Sequence, residues 1–236
     1  MNIKFEDITR HIGGNEVFEK EYKTKKHFYI KNEFDFTDHF SWKDFNTYLQ
    51  GYNTDYKVSR VNHLQVVTPD GRRWCHQKPT QQGFKGKFTT HYLKKLWANG
   101  SSFVLPIFES WNETMWEQCR EFERHYGRGT ANIYCSNKEE AYCFGVHADS
   151  TDNFIFHVDG EVEWEMYNEF GYECNPKEAT IKETVTLGPG SVLYIPDRQY
   201  HRPKTLSRRM IISYHFALAH NPKYDRGPYY KWTDVA

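Results

Sequence analysis

The 236-residue sequence has no excess of charge of either sign: 31 Lys and Arg balance 31 Asp and Glu, for a formal net charge of zero. No global field therefore recruits long nucleic acids or an anionic membrane surface. It has no apolar run of about eighteen residues, so no helical membrane span is expected. The segment Met1-Asn-Ile-Lys-Phe-Glu-Asp7 lacks the apolar stretch of a secretory leader. Cysteines are few and odd in number: Cys75, Cys119, Cys135, Cys143 and Cys174, with no C-x-x-C spacing. That pattern argues against a disulfide framework or a zinc site and for isolated buried thiols. Internal repeats and low-complexity tracts are also missing. The expectation is a cytoplasmic protein forming one domain, with no composition break to divide it.

What is abundant is aromatic residues, at 17% including seven Trp and seventeen Tyr, which suits a β-rich core. Among them stands His147-Ala148-Asp149, with His201 following in the strand-like run Ser191-Val-Leu-Tyr-Ile-Pro-Asp-Arg-Gln-Tyr-His201. Two imidazoles and one carboxylate form the facial ligand set of mononuclear non-haem iron(II), which keeps open positions for an organic co-substrate and oxygen. Residues i and i+2 of a strand project to one side, so one short segment can offer two neighbouring ligands. With twelve histidines in the chain the dipeptide spacing is a weak signal, and a surface loop is the plain alternative. Context strengthens it. Asn153–Val158, Asp159-Gly160 and Glu161–Tyr167 read as strand, type I′ hairpin turn and strand. Thr184–Leu187, Gly188-Pro-Gly190, Val192–Ile195 and Arg209–Phe216 read as further short strands broken by Gly and Pro.

The first half reads as more helical. A short helix is expected over Phe5–Ile12, a strand over Lys26–Ile30, and a helix from Trp42 with Ser41 as N-cap and Asp44 in a capping-box position. Tyr56–Val67 reads as a strand, ended by the turn Pro69-Asp70-Gly71. Gly71–Lys87 is polar and basic, with Arg72, Arg73, Lys78, Lys85 and Lys87; a substrate lid and a solvated loop are equal readings. Helices are expected over Thr90–Ala98, stopped by Gly100, and over Asn112–Tyr126, with Ser110 as cap and Gly127 as stop. Between them Ser102–Phe108 reads as a strand.

From Ala131 to Phe216 the sequence resembles the JmjC and cupin-like oxygenases that depend on iron(II) and 2-oxoglutarate. The matching residues are Asn132-Ile-Tyr134, His147-Ala-Asp149, Asn153, Gly160 with Trp164, and Gly188-Pro-Gly190 through Pro196 to Tyr200-His201. The upstream half is similar, more loosely, to the bacterial and ribosomal-oxygenase branch through Phe18–Lys26, Phe40–Leu49 and Gly100–Ile107. The resemblance implies a mostly β, α+β fold: a double-stranded β-helix (jelly-roll or cupin) core over residues 129–218. Residues 1–128 would then be a helix-rich part bracing the barrel, and 219–236 a tail. It implies His147, Asp149 and His201 as ligands of Fe(II), and hydroxylation of an unactivated C–H bond with conversion of 2-oxoglutarate to succinate and CO2. Asn132 and Tyr134 would face the co-substrate, and Asn153 the metal-bound carboxylate. Trp164 and Tyr200 would be barrel walls. His157 shares the parity of Asn153 and reads either as a contact behind the ligands or to substrate, or, more plainly, as a satisfied core histidine, and the same caution applies to His215.

One departure matters. Such enzymes usually place a Lys or Arg shortly after the hairpin glycine to hold the distal carboxylate of 2-oxoglutarate, and here that position is Val162, between Glu161 and Glu163. Arg209, with Ser213 on the same strand face, is the expected replacement over Arg208, which would point away. A cupin dioxygenase binding substrate directly on iron, or a metal-binding sensor without turnover, are the competing readings. The expected partner is a small molecule or a peptide, with an amino-acid side chain as the substrate. The residues do not decide between a monomer and a homodimer.

Overall fold

A computed structural model describes residues 2–51, 64–70, 73–75, 90–141, 144–171 and 178–216. Two β-sheets face each other. Among the described residues eleven strands run β1 (Phe28–Ile30), β2 (Gln65–Val67), β3 (Arg73–Cys75), β4 (Ser102–Leu105), β5 (Gly129–Ser136), β6 (Asp152–Asp159), β7 (Val162–Phe170), β8 (Ile181–Leu187), β9 (Val192–Ile195), β10 (Gln199–Thr205) and β11 (Arg209–Phe216). The large sheet has the order β1-β9-β6-β11-β5-β4-β2-β3 and the small one β10-β7-β8, with all pairs antiparallel. From β6 onward the large sheet takes β6, β9 and β11 and the small one β7, β8 and β10, the chain crossing between them at every step except β7 to β8, as in a double-stranded β-helix.

That alternation corrects one expectation. Asp159-Gly160 is not a type I′ hairpin turn, because β6 pairs with β9 and β11 while β7 pairs with β8 and β10. The dipeptide is a corner by which the chain changes sheet. Glycine is required there: Gly160 has φ +75°, and a Cβ would sit 1.9 Å from the Arg208 carbonyl oxygen. Two short strand motifs joined by Asp-Gly look alike in sequence whether they pair with each other or with others.

Among the described residues five helices flank the large sheet: α1 (Phe5–Thr9), α2 (Asn15–Val17), α3 (Trp42–Gly51), α4 (Thr90–Ala98) and α5 (Glu113–Tyr126). A 3-10 turn over Arg10–Ile12 continues α1, and a π turn over Phe18–Tyr22 continues α2. The expected capping box of α3 is present: Asp44 N–H donates to Ser41 Oγ at 3.2 Å, and Ser41 N–H to the Asp44 carboxylate at 2.9 Å. The cap of α5 is Asn112 rather than Ser110; its side chain accepts from Met115 N–H at 2.9 Å. Asn and Ser both serve as caps, and the sequence offered both within three positions.

α5 lays its apolar face on the sheet. Phe122 is fully buried, with ring centroids 4.8 Å from Phe154, 5.6 Å from Phe216 and 6.0 Å from Tyr214. Truncating Phe122 to Ala would cost about 3–5 kcal/mol through lost burial and a cavity. β9 is buried at all four positions because helices and the small sheet cover its two faces. A second apolar cluster, including Ile155, Val162, Trp164, Leu193 and Ile211, fills the space between the sheets.

The N-terminal part also supplies β1–β4 to the large sheet. The strand expected over Tyr56–Val67 is seen over Gln65–Val67, its earlier residues lying outside the described ones. Ser102–Phe108 is a strand only to Leu105. The basic Gly71–Lys87 segment is described only at β3, which pairs with β2; the rest lies outside the described residues. Among the described residues Cys119 and Cys135 are free and buried, and burial pushes both thiols up in pKa. No helix among the described residues is long and apolar enough to cross a membrane.

Candidate metal centre

The fold brings His147, Asp149 and His201 together at one end of the barrel, with one ligand atom from each lying within 4.8 Å of the others. His147 and Asp149 are not on a regular strand. His147 forms a lone antiparallel bridge with His201, each backbone N–H donating to the other's carbonyl at 2.8 and 3.1 Å. This bridge delivers the imidazoles side by side, with ring centroids 4.3 Å apart. Asp149 is fixed from the other direction, its carbonyl accepting from Arg198 N–H at 2.8 Å.

Each imidazole is oriented for metal binding. His147 Nδ1 donates to the Gly145 carbonyl at 2.7 Å, and His201 Nδ1 to the Gln199 carbonyl at 2.9 Å. The Nε2 atoms are left as the basic ones, facing Asp149 oxygens at 3.9 Å (His147) and 3.6 Å (His201). Backbone carbonyls on the far nitrogens fix tautomer and ring plane in metal sites. Asn153, as expected, holds the carboxylate: its Nδ2 donates to Asp149 Oδ2 at 2.7 Å, while Thr151 Oγ1 donates to Asn153 Oδ1 at 3.0 Å.

The electrostatics favour ligand protonation states. Burial works against the Asp149 carboxylate, but His201, His215, His147 and the Asn153 hydrogen bond outweigh it and hold its pKa below the usual value. Burial, with His147 adding to it, lowers His201 to about 4. An ionised carboxylate beside a neutral His201 imidazole suits a divalent cation.

Below the triad lies a cavity of about 340 Å³. Its walls include the expected Asn132, Tyr134, Trp164, Arg209 and Ser213, together with His215. Tyr200 is buried but is not among the wall residues, and neither is His157. The register arranges the interior in levels. Between β5, β11 and β6 run His215 opposite Asn153, then Asn132–Ser213–Ile155, then Tyr134–Ile211–His157, and deepest Ser136–Arg209. Asn132 works in three directions: Nδ2 donates to His215 Nε2 at 3.1 Å and lies 3.5 Å from the Tyr134 hydroxyl, while Oδ1 accepts from Ile107 N–H at 3.0 Å. Ile107 has φ +58°, a left-handed conformation that a β-branched residue rarely adopts.

The two arginines separate as expected. Arg208 points outward, its guanidinium 3.4 Å from Asp159 and stacked over the Trp42 ring. Arg209 is 1% exposed. Its Nε donates to Ser136 Oγ at 3.2 Å and its NH1 has no hydrogen-bond partner. Among the described residues no carboxylate forms an ion pair with it. Val162 is buried in the apolar cluster between the sheets, while its neighbour Glu163 pairs with Lys204 at 2.9 Å. The walls that sequence reasoning missed are Gln65, Val104, Pro106, Phe144, Ile155, Pro203 and Ile211. They are apolar or neutral side chains from six segments, and nothing local marks them.

Residues 107–224 match the JmjC domain family, half of the 236-residue chain. The chain is similar to the bifunctional lysine-specific demethylase and histidyl-hydroxylase NO66 of Dictyostelium discoideum. The two are 27% identical over 207 residues, covering 79% of this chain and 37% of that protein. Among solved structures it is similar to the ribosomal oxygenase YcfD from Escherichia coli in complex with cobalt and 2-oxoglutarate. There the identity is 20% and the TM-score 0.61, over 94% of this chain and 59% of the other. A further YcfD structure gives 19% and 0.60, over 94% and 62%. The chain thus spans less than two thirds of the length of these relatives, and the structural likeness supports the double-stranded β-helix fold.

Proposed function

The chain belongs to the JmjC domain family, and on that premise we propose that it is an iron(II)- and 2-oxoglutarate-dependent hydroxylase acting on an amino-acid side chain. The observation that carries the reading is Arg209: a buried guanidinium on the cavity wall beneath the triad, with a free N–H and no carboxylate paired to it among the described residues. A buried unpaired charge is costly and calls for an anionic partner. A dicarboxylate co-substrate supplies one, at the opposite end of the cavity from the metal ligands. This also accounts for Val162, since the anchoring charge comes from β11 instead of β7.

The donor set fits the metal. His147 and His201 would hold it through Nε2 and Asp149 through its carboxylate. With iron(II), 2-oxoglutarate and oxygen bound, such a site supplies oxidation of an unactivated C–H bond coupled to release of succinate and CO2. The chain's own residues do the rest. Asn153 occupies Asp149 Oδ2, which would leave Oδ1 for the metal. Arg209 and Ser213, on one strand face, would take the distal carboxylate, Arg209 as a charged donor and Ser213 as a hydroxyl. Asn132 and Tyr134 would orient the co-substrate from β5. Ile155, Trp164 and Ile211 line the middle of the cavity and exclude water there. An amino-acid side chain as substrate is supported by the name of NO66, which gives that protein lysyl and histidyl residues to act on.

The test is an anaerobic titration of the iron(II)-loaded protein with 2-oxoglutarate, followed by the visible charge-transfer band of a chelated keto acid. Appearance of the band, and its weakening in Arg209→Ala, is the expected result. Absence of the band with iron shown to be bound would instead favour a cupin that binds its substrate directly on the metal.

A further inference from the structure

Directly beside the anchor level sits a second buried group that the proposed mechanism leaves unused. His157 is fully buried on the interior face of β6, continuing the row Asn153, Ile155, His157 of which Ile155 lines the cavity. It stands opposite Ile211, itself a wall residue, and one step diagonally from Arg209 on the neighbouring strand, so it lies immediately behind the cavity wall, which it does not line. Its ring is fixed by Trp164, whose Nε1–H donates to His157 Nε2 at 3.2 Å. An indole nitrogen is a donor only, so His157 Nε2 is the acceptor and Nδ1 carries the hydrogen. Burial, reinforced by the Arg209 charge, lowers the His157 pKa to about 3, so the ring is neutral at physiological pH.

Among the described residues Nδ1–H has no hydrogen-bond partner, and neither has Arg209 NH1. Two buried donors without acceptors on adjacent levels of one barrel interior are an unusual pair. Each unmet donor is costly, and a single carboxylate with two oxygens can satisfy both. We propose that His157, held in one tautomer by Trp164, becomes a second donor to the distal carboxylate when the co-substrate enters beside Arg209, and sets the site's selectivity for a dicarboxylic keto acid. This rests on the 2-oxoglutarate reading above. It assigns Trp164 a positioning part as well: the indole that walls the cavity beside His201, at 6.1 Å between ring centroids, also fixes which His157 nitrogen donates.

The experiment is anaerobic calorimetry of the iron(II)-loaded protein with two ligands, 2-oxoglutarate and 2-oxopentanoate, which has the same chain without the distal carboxylate. His157→Phe keeps an aromatic ring and removes the donor. It should weaken 2-oxoglutarate by roughly tenfold to a hundredfold, the range for a hydrogen bond to a charged group, and leave 2-oxopentanoate unchanged. His157→Gln, whose amide can accept from Trp164 and donate onward, should restore most of the 2-oxoglutarate affinity. Equal loss for both acids, or no loss for either, overturns the proposal. If His157→Phe fails to fold or to bind iron, His157→Met replaces it on the same criterion: a loss selective for 2-oxoglutarate is expected, and a non-selective effect is equally fatal. Failure of the unaltered protein to bind 2-oxoglutarate would sink the underlying reading, an outcome visible before any variant is made.

Discussion

Replacing Arg209 by Met should make the co-substrate-free protein more stable while abolishing its response to 2-oxoglutarate. The guanidinium is 1% exposed, with NH1 unpartnered. Leaving such a donor unmet costs about 1–3 kcal/mol, and apolar replacement of a buried charge ranges from neutral to about 4 kcal/mol stabilising. The acceptor of its Nε–H is not orphaned by the change, because Ser136 Oγ is also 2.7 Å from Ser102 Oγ. A gain of about 1–3 kcal/mol is expected, at about 2–4 °C in Tm for each kcal/mol in a chain of this size. With 2-oxoglutarate at a hundred times its Kd the parent protein should gain about 2.7 kcal/mol, and the variant nothing. The order of stability should then narrow or invert when the co-substrate is added. The assay is thermal and urea denaturation of the cobalt(II)-loaded protein under argon, in buffers free of carboxylate anions, with and without 2-oxoglutarate. A variant that loses more than about 1 kcal/mol without ligand, yet is stabilised by 2-oxoglutarate as the parent is, would refute the reasoning: Arg209 would then be a structural residue already satisfied in the fold.

Asn153→Ala removes the 2.7 Å hydrogen bond to Asp149 and should weaken cobalt(II) binding about 10–100-fold by competitive chelation, with the fold intact by circular dichroism. Gly160→Ala places a Cβ against the Arg208 carbonyl at a left-handed φ; a loss of about 3 kcal/mol or more in urea denaturation is expected, and a near-neutral effect would contradict the corner geometry. Asp152 is fully buried, and desolvation raises its pKa to about 6 although Asp197 N–H donates to its Oδ1 at 2.7 Å. The folded state keeps that proton up to about pH 6, while the unfolded chain releases it near pH 4. The folded state thus binds more protons in that window, and stability should fall as pH rises through it, by about 3 kcal/mol in total. Asp152→Asn keeps an acceptor for Asp197 N–H and should flatten that slope in denaturation curves taken between pH 4 and 7. Ser41→Ala breaks the α3 capping box and should cost about 1 kcal/mol.

The sequence carried what is local or periodic. Ser41 with Asp44 announced a helix start, alternating residues announced the strands, and His147-x-Asp149 with a later strand-borne His201 announced the candidate metal ligands, because the chemistry of each is complete within a few residues or in a donor set. Parity along β11 was enough to send Arg209 inward and Arg208 out. Pairing was not local. Asp159-Gly160 reads as a hairpin turn, yet which strands β6 and β7 join depends on β9, β11, β8 and β10, far along the chain. Sequence likewise gave no means to choose Asn112 over Ser110 as a cap, or to gather Gln65, Val104, Phe144 and Pro203 around one cavity. Above all it could not show an unmet hydrogen bond. That His157 and Arg209 each hold a donor with no acceptor is a property of everything packed around them, since burial removes the water that would otherwise satisfy them.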